Sequence, residues 1–175
     1  YTVVGTDGTV LMDDKETQFP AGYAWDPDGT QVVFSGHVLK SSGDGPGVGP
    51  AVFWVFDTVT RSTQVLARYK DTMVQEISWS PDGKEIVFCR FRVEKSGARV
   101  EDGIWVVPSS DGGTPRQIAK GSATQPVYSP DGRFILYQLG ADIIRCDRDG
   151  GQTKNLTEGK GINRYPSWSP VLSKK

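Results

Sequence analysis

The chain has 175 residues, with 20 Lys or Arg against 21 Asp or Glu, one His and two Cys. A net charge of −1 offers no electrostatic footprint for nucleic acid, and no run of about 18 apolar residues is present to span a membrane. Two Cys and one His make neither a disulfide framework nor a multi-His metal site, and no cofactor is expected.

In chain order, Tyr1–Gly5 and Thr9–Met12 read as two strands joined by Asp7-Gly8. A repeated pattern follows. Ala24-Trp25-Asp26-Pro27-Asp28-Gly29 precedes Val32-Val33-Phe34, and Ser78-Trp79-Ser80-Pro81-Asp82-Gly83 precedes Ile86-Val87-Phe88. Val127-Tyr128-Ser129-Pro130-Asp131-Gly132 precedes Ile135-Leu136-Tyr137, and Ser167-Trp168-Ser169-Pro170 begins a fourth copy. The four aromatics stand 54, 49 and 40 positions apart, and the residues seven to nine places after the first three are always apolar. Their shared register predicts that Trp25, Trp79, Tyr128 and Trp168 are core residues packed between neighbouring repeats.

Turn chemistry explains the constant part. Pro presets φ for the first central position of a type I turn, Asp suits the second, and Gly takes the left-handed position that follows. The motif is therefore a hairpin device and not a ligand site. Third strands are expected at Phe53–Asp57, Ile104–Val107 and Ile143–Asp147, with turns at Thr58–Arg61, Ser110–Gly113 and Arg148–Gly151. Short fourth strands follow at Gln64–Leu66, Arg116–Ile118 and Lys154–Leu156. Gly or Pro interrupts nearly every window that could make an amphipathic helix. Four short strands per repeat is the spacing of a propeller blade.

The Trp-Ser-Pro-Asp-Gly turn with the Asp-Gly-Gly turn resembles the propeller repeats of TolB, of tricorn protease and of prolyl oligopeptidases, over nearly the whole chain. The expected fold is all-β: one β-propeller domain over 1–175, made of four-stranded antiparallel blades. Residues 1–14 would be the third and fourth strands of an incomplete blade. Three complete blades would occupy 21–70, 74–120 and 125–158, and 164–172 would be the first strand of a further blade. Closed propellers use roughly four to eight blades. The chain is therefore expected to be a segment of a larger propeller, or a partial propeller whose copies self-associate through open blade edges.

Cys89 and Cys146 fall on different blades and are expected to be buried free thiols. The pairs Asp26/Asp28, Asp147/Asp149 and Asp13/Asp14 lie in or beside turns without EF-hand spacing, so no metal is expected. His37 opens a Gly-rich connection over 38–50 that lacks the Lys-Ser or Lys-Thr of a phosphate loop and reads as a mobile hairpin tip. Arg90, Arg92, Lys95 and Arg99 interleave with Glu94, Glu101 and Asp102 on an extended hairpin, which reads as self-neutralising or as a partner-docking edge.

No Gly-x-Ser-x-Gly elbow is present, and one His cannot supply the His clusters of the pectin-cleaving TolB-like enzymes, so the chain is not expected to be an enzyme. In propellers the connections entering the first strands and leaving the second strands meet on one face around a channel. The resemblance thereby implies a surface built from Gln18, Phe19, His37, Thr72, Met73, Arg92, Thr124, Gln125, Asn163 and Arg164. The expected function is a periplasmic or extracellular scaffold for a protein or peptide partner. The alternatives are the propeller portion of a peptidase, gating a catalytic domain absent from this chain, and a carbohydrate-binding propeller.

Overall fold

The computed structural model describes residues 2–5, 7–13, 18–37, 50–70, 72–94, 96 and 98–169. A short hairpin, β1 (Thr2–Val4) and β2 (Val10–Asp13), precedes three four-stranded sheets. The first sheet holds β3 (Gln18–Trp25), β4 (Gln31–His37), β5 (Ala51–Asp57) and β6 (Ser62–Tyr69). The second holds β7 (Thr72–Trp79), β8 (Glu85–Val93), β9 (Arg99–Pro108) and β10 (Arg116–Ala119). The third holds β11 (Ala123–Tyr128), β12 (Phe134–Leu139), β13 (Asp142–Asp147) and β14 (Lys154–Asn155). Every pairing is antiparallel and joins chain neighbours, so each sheet is a meander. The first strands adjoin, β3 beside β7 and β7 beside β11. This is the stacking of blades in an all-β propeller. Among the described residues no helix is long and apolar enough to cross a membrane.

The apolar runs in the strands reflect burial on both faces. Alternation sends Ile86 and Phe88 of β8 into a core shared with Val33, Phe53 and Val55 of the first sheet. Val87, Cys89 and Phe91 point the other way, to meet Ile135, Tyr137, Ile144 and Cys146 of the third. Val32, Phe34 and Phe56 cover Val3 of β1 in a third, smaller cluster. The two thiols are free and lie in one core; burial raises the Cys146 thiol to about 11 and raises Cys89 further.

The turns follow their local chemistry. Gly83 N–H donates to the Ser80 carbonyl at 2.9 Å and Gly132 N–H to that of Ser129 at 2.9 Å. Both glycines have φ +70°. The buried Ser80 hydroxyl donates to Asp82 Oδ1 (2.6 Å) and accepts from Glu85 N–H (2.9 Å), and Ser129 does the same with Asp131 and Phe134. In the first repeat Asp26 replaces this serine and accepts from the N–H groups of Thr30 and Gln31.

Three expectations need correction. Among the described residues, 164–169 form no strand, because a strand requires a paired neighbour and none lies beside this segment. Its Trp168 still docks, with Nε1 donating to the Val127 carbonyl at 3.2 Å. His37 is not on a mobile tip: it ends β4, paired with Gln18 and Ala51, and is 1% exposed. The Gly-rich stretch 38–49, Lys95 and residues 170–172 lie outside the described residues. Finally, the shared register of the repeat aromatics does not give shared burial. Trp79 and Tyr128 are buried and Trp168 is half-buried, whereas Trp25 is 44% exposed because no inner strand precedes β3 among the described residues.

Candidate interaction surface

The first strands carry a feature that turn motifs do not reveal. Each breaks register with its second strand just before the repeat aromatic, between Gln18 and Gly22, Gln75 and Ser78, and Thr124 and Val127. Such bulges re-aim a side chain out of the pleat. Glu76 and Gln125 sit in these bulges with φ of 55° and 56°, and Tyr165, at the same offset before Trp168, has φ 55°. Non-glycine residues with φ in this range are uncommon and need their surroundings to hold them there.

The surroundings here are the neighbouring blades. The Gln125 N–H donates to Glu76 Oε2 at 2.6 Å, and the Tyr165 N–H donates to Gln125 Oε1 at 2.6 Å. Each bulge side chain therefore accepts the backbone N–H of the next bulge along the row. Gly22 holds the fourth place without a side chain, where a Cβ would lie 3.3 Å from the Glu76 nitrogen. Glu76 Oε1 and Gln125 Nε2 have no further partner among the described residues, which leaves one acceptor on β7 and one donor on β11.

The residues that sequence analysis assigned to the contact face divide into two groups. Thr124 and Gln125 lie in β11 at or near the bulge row, half-buried, and Arg164 is exposed just before Tyr165. Gln18 and Phe19 lie at the start of β3. Arg92 stands opposite Thr72 in the register with its side chain 61% exposed, 3.6 Å from Asp102. Asn163 Nδ2 donates to the carbonyls of Ala141 and Lys160. Thr72 and Met73 are corrections: Thr72 is 7% exposed and donates to the Lys70 carbonyl, and Met73 packs on the core. With His37 they belong to the interior, because strand pairing runs to the ends of β4 and β7. Glu76 and Tyr165 were missed. Their signal was the fixed offset of three residues before Trp79 and Trp168, also occupied by Gly22 and Gln125.

The basic hairpin is largely self-neutralised. Arg90 and Arg92 both face Asp102, Arg90 stacks 3.4 Å over Trp105, and Arg99 stacks 3.4 Å over Phe91 while bonding Gln75 Oε1.

A second charge cluster clamps the other end of the strands. Arg148 of the third sheet donates to Asp82 (2.8 Å) and Glu85 (2.7 Å) of the second, and Arg116 reaches Glu85 at 2.9 Å. Tyr128 stands where the other repeats carry Trp, and its hydroxyl donates to Glu85 Oε2 at 3.0 Å. The hydrogen bond from Arg148 holds the Asp82 carboxyl well below the usual carboxylate range. Burial opposes ionisation of Glu85, but Arg116 and Arg148 outweigh it, and its pKa is also lowered. These charges are mutually satisfied and serve to join blades. Among the described residues no group of three or more His, Cys, Asp or Glu could hold a metal ion.

Fold and surface together define three blades of an all-β propeller with a polar row along their inner strands. Solved structures share this fold at low identity. TolB from Acinetobacter baumannii matches with a TM-score of 0.61 and 23% identity, over 92% of this chain and 38% of that one. Oligogalacturonate lyase from Vibrio parahaemolyticus matches with a TM-score of 0.62 and 16% identity, over 89% of this chain and 46% of that one. The β-propeller domain of the trilobed protease from Pyrococcus furiosus matches with a TM-score of 0.54 and 13% identity, over 80% of this chain and 43% of that one. The chain thus spans less than half the length of each of these structures. No family model matches it, and no curated protein matches it.

Proposed function

We propose that the chain is a non-catalytic propeller scaffold that binds a protein or peptide along the inner row of Glu76, Gln125 and Tyr165. The observation that supports this reading is that Glu76 Oε1 on β7 and Gln125 Nε2 on the adjoining β11 have no partner among the described residues while their other atoms are fixed by the bulge row. An acceptor and a donor fixed by backbone geometry match the alternating N–H and C=O of an extended peptide. Arg92, Thr124 and Arg164 supply a polar rim, the usual surround of such contacts. A periplasmic or extracellular location accompanies this reading through the resemblance to TolB.

A second reading, the propeller portion of a peptidase, draws support from the likeness to the trilobed protease propeller. In that case the same row would contact peptides on their way to a catalytic domain encoded outside these 175 residues.

The test is a random-peptide display selection on the full chain, followed by affinity measurement on Glu76→Ala and Gln125→Ala. Both variants are first checked for an unchanged circular dichroism spectrum. Selected peptides are expected to lose at least about tenfold in affinity on either variant, equivalent to about 1.4 kcal/mol. Peptides that bind the variants as well as the parent would contradict the assignment of the row. Turnover of any selected peptide would contradict the non-catalytic reading.

A further inference from the structure

The two interfaces between the three sheets use the same repeat positions but are closed differently. Between the second and third sheets, Arg148 crosses the gap. Its Nη1 and Nη2 donate to the two oxygens of Asp82 at 2.8 and 3.2 Å, and its Nε donates to Glu85 Oε2 at 2.7 Å. The guanidinium also lies 5.8 Å from the Tyr128 ring. Arg148 is placed by its own N–H, which donates to the Arg133 carbonyl at 3.0 Å. In the second sheet the same backbone bond, to the Lys84 carbonyl at 3.0 Å, belongs to Ser109. The Ser109 hydroxyl turns back to the Gly83 carbonyl at 2.6 Å, so this position sends no side chain across to the first sheet.

Between the first and second sheets there is instead a cleft of about 360 Å³, lined by Asp26, Asp28, Gln31, Trp79 and Asp82 with their turn neighbours. Counted from the repeat aromatic, Asp28 stands where Asp82 does, and Gln31 where Glu85 does. The cleft therefore presents the carboxylate and the side-chain oxygen whose counterparts hold Arg148 one interface later. Trp79 lines it in the place of Tyr128. The turn does not use Asp28. Asp82 accepts from the Ser80 hydroxyl and the Lys84 N–H, whereas in the first repeat Asp26 replaces the serine and takes the N–H groups of Thr30 and Gln31. Neither Asp26 nor Asp28 meets a Lys or Arg among the described residues. The Gln31 amide donates to Asp57, so its oxygen is the atom left to accept.

We propose that this cleft receives the guanidinium of an arginine side chain carried by a protein partner. Two of its N–H groups bond the Asp28 carboxylate and a third bonds the Gln31 oxygen, as Arg148 bonds Asp82 and Glu85, with Trp79 in the wall beside the cation. Two observations choose this occupant: the equivalent side chains already grip an arginine of this chain, and the cleft adds Asp26 where the second and third repeats carry a neutral serine. A guanidinium suits the site better than an ammonium, because its planar fork matches a carboxylate with two parallel bonds. A metal ion suits it less, since the cleft belongs to no group of three or more candidate ligands among the described residues. The cleft lies at the hairpin turns, beyond the bulge row, and does not depend on what that row binds.

Titration of the full chain with acetyl-Gly-Arg-Gly-amide to about 20 mM, followed by residue-resolved NMR, tests it, with the lysine peptide as comparison. Saturable shifts are expected at the Trp79 indole N–H and at the amides of Asp28 and Gln31. The arginine peptide should bind at least about fivefold more tightly than the lysine peptide. Asp28→Asn should weaken binding at least about fivefold. Ser109→Arg, which supplies the guanidinium from within, should abolish it. Asp28 is exposed, so its variant keeps the test decisive should Ser109→Arg fail to fold. An absence of saturable shifts in the parent would overturn the proposal. So would binding left unchanged by Asp28→Asn or by a folded Ser109→Arg, or equal affinity for the two peptides, which would mean a general cation site.

Discussion

Gly112 lies so close to the carbonyl of Leu66 in the neighbouring blade that a Cβ at this position would sit 2.0 Å from the oxygen. Its φ of +64° independently disfavours a side chain. Gly150 repeats the arrangement one blade later, where a Cβ would meet the Ile118 carbonyl oxygen at 2.8 Å. The first glycine of each Asp-Gly-Gly turn therefore fits the turn against the outer strand of the preceding sheet.

Gly112→Ala is expected to destabilise the chain by about 2–4 kcal/mol, the sum of left-handed strain and a forced separation of blades. Gly121→Ala is the control: φ is +72° but nothing lies within 4 Å of the added Cβ, so strain alone, about 1–2 kcal/mol, should appear. Urea unfolding of both variants measures the difference. Equal losses would mean that the close approach to Leu66 contributes nothing.

Loss of the Arg148 clamp should depend on pH. Asp82 and Glu85 have lowered folded pKa values, so their contribution is present above the unfolded carboxylate range and is lost as pH falls through the folded values. Asp82 is 39% exposed at its side chain and Arg148 28%, which places the clamp between surface and buried pairs. Arg148→Met should thus cost about 1–3 kcal/mol at pH 7 and progressively less below about pH 4. A cost that is constant from pH 7 to pH 3 in urea titrations would show that the clamp acts through packing alone.

Trp79 is 8% exposed and pins its blade to Ala24 through the indole N–H. Trp79→Ala is expected to cost about 3–5 kcal/mol, and Trp79→Phe, which keeps the ring but loses the donor, about 1–2 kcal/mol. At Trp25, which is 44% exposed, the same substitution should cost below about 1 kcal/mol. Comparable losses at the two positions in chemical denaturation would contradict the difference in burial.

What the sequence made legible is whatever is encoded within a few residues. Pro27-Asp28-Gly29 and its counterparts specify their hairpins by the conformations that Pro, Asp and Gly permit, so strand order followed from local chemistry. Burial depends on neighbours far along the chain, and there the reading failed. Trp25 and Trp79 have the same local context, yet among the described residues only Trp79 has a preceding inner strand to cover it. Thr72, Met73 and His37 resemble loop residues, yet they fall in strands paired to their ends, Thr72 opposite Arg92 and His37 opposite Gln18. Nothing in Gln75-Glu76-Ile77 announces a left-handed residue, because a neighbouring blade, not the tripeptide, stabilises that conformation. Tyr128 shares the register of the Trp residues, yet its hydroxyl reaches the Glu85 side chain where Trp79 and Trp168 reach a backbone carbonyl.

The bulge row rests on the bond from the Gln125 N–H to Glu76 Oε2 at 2.6 Å. Residue-resolved amide exchange of Gln125, in the parent and in Glu76→Ala, reads that bond directly. Exchange at Gln125 is expected to be slow in the parent and at least about tenfold faster in the variant, with core amides such as those of Ile86 and Ile135 unchanged. A Gln125 amide that exchanges freely in the parent, or equally slowly in both proteins, would mean that Glu76 does not hold the row and that no preformed inner surface exists.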